Sequence, residues 1–284
     1  GTRMSATHRA GAIGVQRARI LGVLGIADID GAAAGKCLSR APRSGWQHAI
    51  KHVDPAGDGA DGHSLWPAFT NVPNEFLEAY FPLRIVQYET IADSGGPGLH
   101  RGGNGLSMGY QFLEPGNISI HDDRWLSHPW GVNGGLPGAR STKLMVRADG
   151  TEEWMESKCD RIQVNAGDIL YFNTWGGGGW GDPLVREAAQ VALDAKRGLI
   201  TIEGGKRYGV ILAPDFTIDQ RATDDLRRRM TADRGAVETF DFGGTMEELR
   251  ARCKADTTFD PPRPPVFQKW MGRSKPPELA QAAE

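Results

Sequence analysis

Four ionisable residues stand together at His121-Asp122-Asp123-Arg124, directly after the apolar stretch Ile118-Ser119-Ile120. A cluster of this kind at a strand end has two uses. A buried Asp–Arg pair would be structural. An arginine facing a pocket would hold a carboxylate or phosphate through its planar fork of donors. Asp123 and Arg124 are therefore candidate substrate-binding residues, and His63 is a candidate polar pocket residue. Three other constellations fail on chemistry. His48 and His52 have the i, i+4 spacing of a helical zinc site, but the glutamate base is missing and Pro55 and Gly57 cut any helix short. Gly62-His63-Ser64-Leu65-Trp66 starts like a nucleophile elbow, but Trp66 replaces the closing glycine. Gly176 to Gly179 sits between a strand pattern and a helix pattern, where a phosphate loop would lie. Gly181-Asp182-Pro183 then stands where such a loop needs Lys and Ser or Thr. Asp182 would repel phosphate and better serves as a helix cap. No carboxylate pair, nucleophile triad or full metal-ligand set is readable, so no metal ligand is assigned.

These residues need a frame, and the glycines mark it. Six of the eleven residues from Gly95 to Gly105 are glycine. Such a stretch can take positive φ values or approach another surface closely. It lies between two strand patterns, Leu83 to Ile91 and Leu106 to Phe112. In the second, Leu106, Met108, Tyr110 and Phe112 alternate with small or polar residues, the period-2 pattern of a half-buried strand. Further strands are predicted at Ile118–Ile120, Lys143–Arg147, Arg161–Val164 and Ile169–Asn173, with turns at Asp149-Gly150 and Asn165-Ala166-Gly167-Asp168. This spacing predicts an α+β protein that is predominantly antiparallel β, sandwich- or barrel-like. Beyond residue 182 the period lengthens. Asp182 with Pro183 can open a helix through Ala188 to Ala195, which Gly198 ends. Tyr208–Leu212 reads as a final strand and Asp219–Met230 as a charged helix. Thr245 with Glu248 forms a capping box for a last helix. Pro261-Pro262-Arg263-Pro264-Pro265 begins a Pro-rich tail.

The bulk numbers bound the function. The chain has 284 residues and a formal net charge of -2, with acidic and basic residues interspersed, which argues against nucleic-acid binding through a bulk basic field. No apolar run approaches a membrane span. The three cysteines, Cys37, Cys159 and Cys253, are far apart and odd in number, which fits a reducing cytoplasm.

The order of the motifs says more than any one of them. Asn71-Val72-Pro73-Asn74-Glu75, Phe81-Pro82-Leu83-Arg84, Asp93-Ser94-Gly95-Gly96-Pro97-Gly98, Arg101-Gly102-Gly103-Asn104-Gly105, Asp123-Arg124, Pro129-Trp130-Gly131, Gly134-Gly135-Leu136-Pro137-Gly138, Gly167-Asp168, Gly176 to Pro183 and Tyr208-Gly209-Val210 occur in series. This series resembles the C-terminal half of the hydantoinase B / oxoprolinase family over 61–212, most like its acetone and acetophenone carboxylase branch. Residues 1–60 stay unassigned and 213–284 form a helical extension and tail. The resemblance implies a subunit, or part of a split subunit, of an ATP-dependent ketone carboxylase. A cyclic amide hydrolase subunit and a non-catalytic assembly subunit are the alternatives. It implies a hydantoinase A-type ATPase partner that carries ATP and Mg and phosphorylates a ketone with bicarbonate, or a cyclic amide. The B-type chamber then keeps the activated intermediate from water. It also implies a divalent metal in an N-terminal half that this sequence does not match: the chain is then one part of a split B-type subunit, with another chain supplying that half, or a truncated or proteolysed portion of a longer one. Asn71, Asp123, Arg124 and the two glycine clusters, Gly95 to Gly105 and Gly176 to Gly179, are expected to face the chamber or a subunit interface.

Overall fold

The computed structural model describes residues 57–62 and 73–261. A short helix, α1 (Asn74–Tyr80), leads into eight strands: β1 (Leu83–Thr90), β2 (Leu106–Phe112), β3 (Gly116–His121), β4 (Gly131–Val132), β5 (Thr142–Val146), β6 (Glu152–Trp154), β7 (Lys158–Val164) and β8 (Ile169–Asn173). Two 3-10 turns, at Pro183–Val185 and Gly204–Tyr208, flank α2 (Ala188–Lys196). Then come α3 (Gln220–Asp233), β9 (Phe240–Asp241) and α4 (Met246–Thr257).

One sheet holds five antiparallel strands in the order β1-β2-β8-β5-β6, and among the described residues it is open at both ends rather than closed into a barrel. β3 and β7 form a second antiparallel pair. Met108, Tyr110, Phe112, Met145, Leu170 and Phe172 from the large sheet pack in one core with Ile118, Ile120 and Val164 from the small one. That is the sandwich the strand spacing predicts. β2 departs from the predicted half-burial. Ser107 and Gly109 are buried as well. β2 lies between β1 and β8, and a Cβ at Gly109 would meet Val86 and Tyr171.

Two local expectations are corrected. Asp182 does cap, accepting from Leu184 N at 2.9 Å, but it caps the 3-10 turn at Pro183. α2 starts separately after Glu187, which makes no side-chain cap bond. Tyr208–Leu212 is not a strand: Tyr208 ends a 3-10 turn, Gly209 turns left-handed at φ 67, and only Leu212 bridges to Ile218. Val210 and Leu212 instead pack with Val191, Ala195, Ile200 and Tyr208 in a second small core. The capping box at Thr245 and Glu248 is formed as expected.

Between the two cores the glycine clusters interleave. Gly96 N donates to Gly177 O at 2.7 Å, Gly177 N to Gly103 O at 2.8 Å, and Gly179 N to Leu136 O at 2.9 Å. A Cβ at Gly102 would lie 2.0 Å from Gly177 O, and one at Gly176 would lie 1.9 Å from Ser94 O. Segments 94–105, 131–139 and 174–181 therefore lie backbone against backbone. Asn104 locks the first: it accepts from Gly95 N at 2.8 Å and donates to Leu199 O at 2.7 Å.

Candidate functional site

The residues that follow β3 do not behave as one cluster. Asp122 turns inward and pairs with Lys143 of β5, and neither side chain keeps any solvent exposure. Ser141 Oγ donates to the same Asp122 carboxylate and sits 2.9 Å from Asp123 O. Lys143 Nζ also lies 4.9 Å from the centroid of the Phe172 ring. Asp123 turns outward: its carboxylate is 80% exposed and 3.5 Å from Lys158 Nζ. A surface pair of this kind contributes little. The buried acid is thus Asp122, one residue before the candidate, and its partner is a lysine twenty-one positions on.

Arg124 occupies an unusual position. Its φ is 57°, a left-handed conformation that costs a non-glycine residue about 1 kcal/mol or more. Its carbonyl accepts from Ser141 N at 3.1 Å, which holds the turn against the start of β5. The side chain is half-buried and its guanidinium lies 4.8 Å from the centroid of the Trp130 ring. Burial lowers its pKa from the ordinary value, and the nearby Asp123 charge only partly opposes this. Among the described residues the guanidinium makes no hydrogen bond or ion pair. A guanidinium stacked on an indole face, with no hydrogen-bond or ion-pair partner among the described residues, leaves its donors available.

The aromatic wall continues from there. Phe242 meets Trp130 edge-on, with centroids 5.8 Å apart. The next residue, Gly243, lies so close to His128 that a Cβ would sit 3.3 Å from its ring. His128 Nδ1 is 2.8 Å from Gly138 O. A carbonyl only accepts, so that nitrogen carries the proton and Nε2 keeps its lone pair. Nε2 is buried with no hydrogen-bond partner among the described residues. Burial lowers the His128 pKa, helped by the charges of Arg252 and Arg140, so the ring is neutral at pH 7. Arg140 anchors this floor to α4, bonding Trp125 O at 2.6 Å and pairing with Asp256 at 2.5 Å.

Of the sequence candidates, Arg124 stands in this setting and Asp123 does not share it. His63, Asn71, Ser64, His48 and His52 lie outside the described residues. The spacing of Arg124 and Trp130 follows no helical or strand period, and Phe242 and His128 belong to no sequence signature. Lys143 carried one signal: a lysine inside the apolar strand Thr142-Lys143-Leu144-Met145-Val146. The Gly176–Asp182 loop packs its glycine backbones against neighbouring backbone. A second buried ionic group ties the loops together: Arg186 pairs with Asp58 at 2.6 Å and Asp194 at 2.7 Å, and Arg101 with Asp61 at 2.9 Å. Among the described residues no group of three or more His, Cys, Asp or Glu converges to hold a metal ion. No described helix is long and apolar enough to cross a membrane.

Comparison with known proteins fits this frame. Residues 51–183 match the Hydantoinase B/oxoprolinase family. An uncharacterized protein of Methanocaldococcus jannaschii is 37% identical over 161 residues, which cover 55% of this chain and 28% of that protein. The B-type polypeptide of a putative D-/L-hydantoinase from a Pseudomonas species is 33% identical over 175 residues, 60% of this chain and 29% of that one. The solved nucleotide-free structure of acetone carboxylase superposes with a TM-score of 0.56 and 22% identity, over 64% of this chain and 30% of that chain, and so shares its fold. The chain spans under a third of the length of both curated relatives. Residues 51–183, the part of this chain that is similar to the hydantoinase B/oxoprolinase family, hold both the glycine stack and Arg124.

Proposed function

We propose that this chain forms part of the B-type subunit of an ATP-dependent enzyme, in which a hydantoinase A-type partner phosphorylates the substrate and Arg124 holds the anionic group of the activated species. The observation that carries this reading is Arg124 itself: a strained backbone, a half-buried guanidinium on Trp130, and no anionic partner among the described residues. A phosphoryl group presents oxygens that the guanidinium fork matches in two-point fashion. The phosphoryl group turns a poor leaving oxygen into a good one, and Arg124 would hold it in place while the carbon reacts. His128 would line the same wall as a neutral acceptor. The chain's residues supply binding and orientation; the ATP site belongs to the partner.

The relatives favour a cyclic amide as the substrate class, because the 33% identical relative belongs to a putative hydantoinase. Ketone carboxylation is the second reading, and its support is the fold shared with acetone carboxylase. In the assembly that contains this chain, ATP turnover stimulated by a hydantoin or lactam supports the first. Turnover that needs both a small ketone and bicarbonate supports the second. Arg124→Ala should lower substrate-dependent turnover about 100-fold or more, with little change in unfolding midpoint. Parallel losses in both would reduce Arg124 to a structural role. Full activity in the variant would instead favour an assembly subunit.

A further inference from the structure

Residues 237–246 form a strap between α3 and α4, fastened at two places. The first is backbone: Val132 pairs with Phe240 and Gly131 with Asp241 in a two-residue antiparallel ladder, and Asn133 N donates to Thr239 O at 2.8 Å. The second is a bend at Gly243-Gly244, where φ is 82° and 130°. Gly243 N donates to Asp241 Oδ1 at 2.8 Å, and Gly243 O accepts from Arg252 of α4 at 3.3 Å. The bend rests on the His128 ring: a Cβ at Gly243 would sit 3.3 Å from His128 Cδ2 and 3.4 Å from Pro137 Cγ. Cδ2 is bonded to Nε2, so the bend covers the edge of the ring that carries the unpartnered nitrogen. The other nitrogen, Nδ1, is held by Gly138 O. The imidazole therefore joins the glycine stack to the bend.

These surroundings suit a neutral ring. Nε2 is out of water and has no acceptor among the described residues. The charged groups acting on it are Arg252 and Asp256 of α4 and Arg140, which precedes β5. Asp256 is already paired with Arg140. On the strap side Asp241 is bonded to Gly243 N, and at the start of α4 Glu248 is bonded to Thr245 N. A proton on Nε2 would add a buried donor without an acceptor, beside two guanidinium groups.

We propose that His128 is a pH-operated latch for the strap: the neutral ring lets the bend at 243–244 lie over it, and the protonated ring displaces the bend and frees residues 237–246 from the 131–134 edge. The released ring gains water for its new N–H. The latch uses contacts within this chain and is independent of the role given to Arg124. Its sign follows from burial, which holds the His128 pKa of the closed form below the ordinary 6.5. Closure is therefore fully favoured above that value. It weakens by up to about ten-fold for each pH unit below it, until the closed-form pKa is passed.

Hydrogen–deuterium exchange of the full chain, read by mass spectrometry, tests the latch. Labelling is done at pH 7.5, 6.5 and 5.5, with times scaled for the intrinsic pH dependence of amide exchange. Peptides holding Asn133, Gly134 and residues 237–246 should open about ten-fold more at pH 5.5 than at pH 7.5. Peptides from β2 and β8 should not change. His128→Asn keeps a donor for Gly138 O and has no titrating ring, so its strap peptides should exchange alike at all three values. If that variant misfolds, an NMR titration of the parent decides: the His128 ring should titrate below 6.5, and titration at or above 6.5 sinks the idea. No rise in strap opening in the parent, an equal rise in β2 and β8, or an undiminished rise in His128→Asn also overturns it.

Discussion

Lys143 and Asp122 form an ion pair fully removed from solvent, joining the end of β3 to the interior strand β5. The two charges are mutually dependent: each has been taken out of water, and removing one leaves the other buried. Lys143→Met should destabilise the chain by about 3–5 kcal/mol in urea denaturation. The double variant Lys143→Met with Asp122→Leu should recover most of that loss. If the single variant costs under about 1 kcal/mol, the pair is not the clasp described here.

The glycine stack predicts position-specific intolerance. Gly176→Ala places a Cβ 1.9 Å from Ser94 O, a backbone atom that cannot rotate away. We expect a loss of about 3 kcal/mol or more, or no folded protein. Gly235→Ala, where nothing lies within 4 Å, should stay within about 0.5 kcal/mol of the parent. Thermal unfolding of the two variants side by side measures the contrast.

At Arg124 backbone strain and side-chain chemistry can be separated. Arg124→Gly relieves the left-handed strain and loses the stack on Trp130, two effects of about 1 kcal/mol each and opposite sign. Stability should therefore change little while substrate-dependent turnover falls as in the alanine variant. A glycine variant with full turnover would show that the turn, and not the guanidinium, is what matters.

Asp168 gives the fold an acid limit. Burial alone would raise its pKa. Bonds from Asn165 N and Ala148 N, both at 2.9 Å, and the Arg147 guanidinium at 3.0 Å override that and hold it below its ordinary value. Because the folded pKa lies below the unfolded one, ionised Asp168 stabilises the fold above about pH 4, and the contribution disappears as pH falls through the folded pKa. Denaturant midpoints recorded from pH 6 down to pH 2 should fall steeply in the parent and less steeply in Asp168→Asn. Identical slopes would show that other carboxylates set the limit.

The α4 cap isolates one local contribution. Thr245 accepts from Glu248 N and Glu248 accepts from Thr245 N at 2.8 Å. Thr245→Ala should cost about 1 kcal/mol in thermal unfolding. A neutral result would mean that packing of Leu249 and Cys253, rather than the cap, fixes where α4 begins.

What the chain itself determined was set by interactions close in sequence. The alternation from Leu106 to Phe112, the Asn165–Asp168 turn and the Thr245–Glu248 box each involve residues within one strand, turn or helix start, so composition and spacing sufficed. The motif series likewise marked the resemblance to the hydantoinase B/oxoprolinase family over 51–183, because order along the chain survives without coordinates. Tertiary structure decided the rest, where partners are far apart. Asp122, and not Asp123, is the buried acid because Lys143 arrives on β5 after the chain has crossed the loop that carries Trp130. The glycines from Gly95 to Gly105 serve close approach and not positive φ: Gly96 packs against Gly179 and Gly102 against Gly177, more than seventy residues away, and Gly105 against Thr174. Trp130, which carries Arg124, meets Phe242 only where residues 237–246 fold back beside it. Such contacts follow from packing and hydrogen bonding in three dimensions, which no period along the sequence encodes.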